Sequence, residues 1–96
     1  MLYLITYDVA TTTPAGRRRL RQVARICLDF GQRVQNSVFE CLVEPDQWVV
    51  LRQALLDVIH PAEDSLRLYP LDENVRRRIE HVGRNEPIDF EGPLIF

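Results

Sequence analysis

The sequence predicts an α+β fold, a ferredoxin-like β-α-β-β-α-β sandwich with an extra C-terminal strand. Three observations lead there. β-Prone apolar stretches and helix-period stretches follow one another as strand, helix, strand, strand, helix, strand. Each helical stretch opens on a proline, Pro14 and Pro45, the residue whose fixed φ suits a first helical turn. The chain has 96 residues, 46% hydrophobic and 27% charged, which is the size and composition of one folded domain.

The first strand is Leu2-Tyr3-Leu4-Ile5-Thr6-Tyr7-Asp8-Val9, apolar on both parities and therefore central. Thr13 caps the helix that begins at Pro14, and Leu20, Val23, Ala24, Cys27 and Phe30 keep helical spacing until Gly31 ends it. The β-prone run from Arg33 to Val43 is too long for one flat strand. Asn36-Ser37 in its middle marks a turn and divides it into strands at 33–35 and 38–43. In the second helix Trp48, Leu51, Leu55 and Ile59 share one face, and Pro61 ends it. Leu66–Leu71 is a further strand, placed at a sheet edge by Pro70. Residues 74–82 read as a short polar helix. Residues 1–86 thus make the ferredoxin-like domain, and residues 87–96 an extended tail ending in Leu94-Ile95-Phe96. Three large apolar residues at a chain end favour docking, and pairing of the tail with the partner subunit's sheet edge is expected. One sheet face has no helix to cover it. With Tyr3, Ile5 or Tyr7 on that face, a homodimer is the expected solution.

Several chemistries are excluded. The four glycines (16, 31, 83 and 92) form no phosphate-binding loop, and no His-Cys cluster has zinc spacing. His60 and His81 stand alone in helical segments. Cys27 and Cys41 occupy core positions and read as inert thiols, so a reducing cytoplasm is expected. No apolar run approaches the ~20 residues of a membrane span, and the apolar start lacks a basic flank, so a strand rather than a signal peptide is expected there.

The net charge of −2 hides an asymmetry: residues 1–40 carry +3 and residues 41–96 carry −5. Every cation is an arginine, suited to forked contact with phosphate, although for the bare count genome base composition is the first explanation. Placement says more. On the first helix Arg17, Arg18, Arg21 and Arg25 fall in one sector, with Arg19 on the opposite flank and Asp29 the only acid. A one-signed row whose only acid four residues on is Asp29, after Arg25, reads as a phosphate-backbone surface rather than a solvated face. Asp8 closes an apolar strand, where it serves either as a loop cap or as a functional carboxylate. One carboxylate per chain makes a poor Mg²⁺ site, and a two-fold dimer would supply a second.

The chain resembles the small CRISPR-associated Cas-two family over essentially its full length. The resemblance rests on Leu4-Ile5-Thr6-Tyr7-Asp8-Val9, the Arg-rich helix, the stretch Gly31-x-Arg33-Val34-Gln35-x-Ser37-Val38-Phe39-Glu40-Cys41, and Asp64-Ser65-Leu66-Arg67-Leu68-Tyr69-Pro70-Leu71. Val-Gln-x-Ser-Val-Phe is its most specific part. The resemblance implies a homodimer with a C-terminal strand crossing onto the partner. It implies Mg²⁺ shared by two Asp8 groups, with Asp8 catalytic and metal-binding and with Tyr7, Arg33, Ser37 and Phe39 in support. Arg17, Arg18, Arg21 and Arg25 are then nucleic-acid contacts.

Two functions follow from that resemblance. One is a metal-dependent endonuclease, or endoribonuclease, acting on single-stranded RNA or double-stranded DNA. The other is a non-catalytic dimer that bridges the CRISPR spacer integrase and holds protospacer DNA. A ferredoxin-like regulatory domain binding a small effector is a third reading. The basic helix and the lack of a Gly-rich effector loop argue against it.

Overall fold

The structure, a computed structural model, describes residues 1–83. Its elements are β1 (Leu2–Asp8), α1 (Pro14–Phe30), β2 (Gln32–Gln35), β3 (Val38–Leu42), α2 (Pro45–Val58), β4 (Ser65–Leu71) and α3 (Glu73–Arg77). The four strands form one antiparallel sheet in the order β2-β3-β1-β4, the ferredoxin-like arrangement, with β4 at an edge as Pro70 requires. The expected tail at 87–96 lies outside the described residues.

Local chemistry accounts for the boundaries. The Thr13 hydroxyl accepts the Gly16 amide at 3.0 Å and starts α1. The Glu44 amide donates to Gln47 Oε1 at 2.8 Å at the start of α2. Asp72 accepts the Val75 amide at 2.8 Å, but α3 continues only to Arg77, shorter than the polar stretch at 74–82 suggests. Its register holds no residue in the core, so packing adds nothing to a weak intrinsic propensity.

Gly31 ends α1 for a reason other than conformational freedom. Its φ of −165° is ordinary extended backbone. A Cβ there would collide with the Glu40 carbonyl oxygen and the Cys41 thiol, and would lie 2.8 Å from the Cys41 Cα. Close approach of the helix end to β3 requires the glycine.

The core lies between the sheet and the two long helices. Ile5, Tyr7, Phe39 and Cys41 meet Val23 and Cys27 of α1 and Leu51 and Leu55 of α2. This corrects the expected face of β1. Tyr3, Ile5 and Tyr7 point toward the helices, and Tyr3 stacks on Trp48 with ring centroids 3.6 Å apart. The uncovered face carries the other parity: Leu2, Leu4, Thr6 and Asp8, with their register partners Val38, Glu40 and Leu42 on one side and Ser65, Arg67, Tyr69 and Leu71 on the other. Leu2 and Leu4 offer no contrast with Tyr3 and Ile5, but Thr6 and Asp8 lie on their parity and are its polar residues. The packing agrees with them: Trp48 stacks on Tyr3 and Phe39 lies beside Tyr7 on the helix side.

Candidate functional site

Asp8 is the last residue of β1 and is exposed on the uncovered face. Among the described residues its carboxylate makes no hydrogen bond or ion pair. The chain then turns back at once, with Val9 buried in the core and the Ala10 amide donating to Asp64 Oδ1 at 3.0 Å.

Asp64 was not legible as a site residue, and it organises this end of the sheet. Its side chain is 0% exposed. It accepts Arg19 Nε at 2.8 Å and Arg19 Nη2 at 3.2 Å, and it also accepts the Ala10 and His60 amides. The Arg19 hydrogen bonds hold the Asp64 carboxyl down at about 2, assisted by the two amides. The same pairing raises Arg19. Arg19 stands 45 residues away in sequence, and its only signal was its place off the arginine row.

Tyr7 turns the opposite way from Asp8. Its amide donates to the Ser37 carbonyl at 3.1 Å, and its ring lies 6.1 Å from that of Phe39. The Arg33 guanidinium sits 5.1 Å from the Phe39 ring centroid. Burial, and secondarily Cys27, pushes the Tyr7 hydroxyl upward, while Arg33 and Ser37 beside it oppose the shift. The structure therefore brings Tyr7, Arg33, Ser37 and Phe39 together, and places Asp8 on the other side of the sheet. Phe39 has no exposed surface and Tyr7 almost none, so what they contribute passes through packing.

The α1 arginines divide. Arg18, Arg21 and Arg25 line a shallow groove with Gln22, Ile26 and Val58, the last from α2. Arg17 donates to the Thr11 carbonyl at 3.1 Å from an exposed position at the start of the helix. Arg19 belongs to the Asp64 cluster and is not part of the row. Arg76 and Arg77 of α3 both face Glu73. Burial raises Cys27 to about 12 and Cys41 to about 11, so both thiols stay protonated and unreactive near neutral pH. No group of three His, Cys, Asp or Glu among the described residues could hold a metal. None of the described helices is long and apolar enough to cross a membrane.

Fold and site together define a ferredoxin-like domain with an arginine-lined first helix and a single open carboxylate at the end of a central strand. Residues 1–79 match the family described as CRISPR associated protein Cas2, and the chain belongs to that family. It is 60% identical over 95 residues to the CRISPR-associated endoribonuclease Cas2 of Chlorobaculum tepidum, covering 99% of both chains. The crystal structure of Streptococcus pyogenes Cas2 at pH 6.5 is similar at 54% identity and a TM-score of 0.75, covering 86% of this chain and all of that one. A structure described as a partial Cas6-RT-Cas1–Cas2 complex contains a chain of the same fold, at 23% identity and a TM-score of 0.66, covering 99% of this chain and 98% of that one.

Proposed function

We propose that this chain acts in the cytoplasm, in CRISPR spacer acquisition, as a homodimeric metal-dependent endonuclease that holds nucleic acid along α1. The observation that carries the reading is Asp8, an exposed carboxylate without a partner among the described residues, on the one sheet face the long helices leave open. That face also shows Leu42 at 55% exposure and Tyr69 at 37%, apolar surface that a second copy would cover. A two-fold axis that runs along the strands of this face, or passes beside Asp8, would bring the two Asp8 groups to the same end of the interface. This suits Mg²⁺, which takes one or two carboxylates, water and a substrate phosphate, since among the described residues no cluster of three ligating side chains offers an alternative site within one chain. The ion, when bound, supplies Lewis-acid polarisation of the phosphodiester and activation of a water. Asp8 contributes hard oxygen donors. Arg18, Arg21 and Arg25 grip the phosphate backbone and fix the scissile strand's register, as guanidinium forks do. Relatives named endoribonuclease support cleavage.

A second reading has its own support. One carboxylate per chain is a sparse catalytic set, and a relative of the same fold occurs in a complex with Cas1. On that reading the dimer bridges the spacer integrase and its arginines hold protospacer DNA without turnover. Asp8→Ala separates the two. The enzyme reading requires Mg²⁺-dependent cleavage of single-stranded RNA or double-stranded DNA to disappear in the variant. Spacer acquisition that survives unchanged in the same variant would show that the carboxylate is not what acquisition needs.

A further inference from the structure

We infer that Asp64 is a positioning residue for Asp8, holding the end of β1 so that its carboxylate stays presented on the open face. The inference rests on the endonuclease reading for its catalytic consequence, but not for its structural one. Strand ends fray, and Asp8 is a terminal strand residue whose side chain has no restraint of its own among the described residues. What restrains it is the backbone on either side. Asp8 pairs in register with Ser65, the residue after Asp64. Two residues beyond Asp8, the Ala10 amide is held by Asp64 Oδ1 at 3.0 Å. The Ala10 carbonyl is wedged against Gly16, where a Cβ would collide with the Ala10 oxygen and lie 3.0 Å from its carbonyl carbon. Ala10 is thus gripped from both sides.

Asp64 can do this because it is itself immobilised. Its buried carboxylate is also hydrogen-bonded to Arg19 of α1 and to the His60 amide just beyond α2, so one side chain ties both long helices and β4 to the loop that follows Asp8. A charged acceptor with four donors is a stiff anchor, since each bond to an ionised group is about twice as strong as a neutral one. A site built on such an anchor is preorganised, and a site that loses it gives up rate before it gives up binding.

The full-length chain tests this with Asp64→Asn, Arg19→Gln and Gly16→Ala against wild type and Asp8→Ala. Asp64→Asn keeps the shape but loses the charge. It should speed amide exchange at Ala10 by about tenfold or more relative to the Ile5 amide. It should also lower kcat for Mg²⁺-dependent cleavage by about tenfold, with KM for the nucleic acid unchanged because Arg18, Arg21 and Arg25 are untouched. Gly16→Ala pushes Ala10 from the other side and should do the same without altering Asp64. Arg19→Gln removes two of the four donors that immobilise Asp64 but leaves the Ala10 amide its charged acceptor. It should therefore lower the urea midpoint about as much as Asp64→Asn while speeding Ala10 exchange and lowering kcat clearly less than Asp64→Asn does. Wild-type exchange at Ala10 in Asp64→Asn overturns the inference, as does a kcat that follows the urea midpoint across all three variants. If Asp8→Ala cleaves like wild type, it is the endonuclease reading that fails, and the exchange at Ala10 still decides whether Asp64 fixes the strand end.

Discussion

Replacing Arg18, Arg21 and Arg25 together with alanine should weaken nucleic-acid binding without altering the fold. The three line one groove, and none of them forms an ion pair among the described residues. If each neutralises one phosphate, the slope of log affinity against log salt falls in magnitude by about 0.9 per arginine on duplex DNA, or about 0.7 on a single strand. For one chain's row the change is then about 2.7 or about 2.1. Raising salt from 50 to 200 mM should weaken wild type by about 40-fold more than the triple variant on duplex, and about 20-fold more on a single strand. Fluorescence anisotropy at several salt concentrations reads the slope directly, with a urea titration to show that stability is kept within about 0.5 kcal/mol, as surface changes normally leave it. The sequence groups Arg17 with this row, but its guanidinium is engaged by the Thr11 carbonyl, so Arg17→Ala alone should change the slope less than Arg21→Ala. An unchanged slope in the triple variant would refute the reasoning and leave α1 as a solvated face.

Gly31→Ala should destabilise the fold by about 1–3 kcal/mol, because the new Cβ meets the Glu40 carbonyl and the Cys41 thiol at a helix end with ordinary backbone angles. Adding Cys41→Ala should rescue only part of the loss, since the Glu40 carbonyl remains, and full rescue in chemical denaturation would show that the thiol alone sets the limit. The Asp64 carboxyl is held at about 2 against an ordinary 3.8, so its contribution is complete above about pH 5 and is lost as pH falls through 4 toward 2. The stability gap between wild type and Asp64→Asn, measured by urea titration, should therefore narrow over that window by on the order of 1 kcal/mol, and a constant gap would contradict the pairing.

Strand and helix order was legible because its signals are local. Thr13-Pro14 and Pro45 mark helix starts, Asn36-Ser37 marks the turn between β2 and β3, and Pro70 marks an edge strand, each acting through its own backbone. Asp8 was legible as well, because a carboxylate closing an apolar strand is anomalous without any partner in view. What could not be read were the long-range choices. The faces of β1 are the reverse of those expected: Tyr3 and Ile5 against Leu2 and Leu4 offer no contrast until Trp48 and Phe39 are placed, and the one local clue is the shared parity of Thr6 and Asp8, which points outward. The Arg19–Asp64 pair spans 45 residues and crosses from α1 to the start of β4, so no window of sequence contains it.

The two-residue alternation of β1 explains why Tyr7 and Asp8 stand side by side. Consecutive strand residues point to opposite faces, so one member of the pair goes into the core and the other out. Tyr7 stacks near Phe39 beneath α1 and fixes the depth and rotation of the strand end. Asp8 is then carried to the open face with an orientation it could not set for itself. Arg33 acts at one further remove, its guanidinium lying over the Phe39 ring beside Tyr7. The same division appears along α1, where Arg19 turns inward to the Asp64 carboxylate while Arg18, Arg21 and Arg25 remain outside along a shallow groove. In both places an inward, anchoring side chain and an outward, exposed one come from adjacent positions of one element. Substitution of an anchor should therefore disturb the rate or geometry of the site more than its affinity, and substitution of an outward arginine should do the reverse.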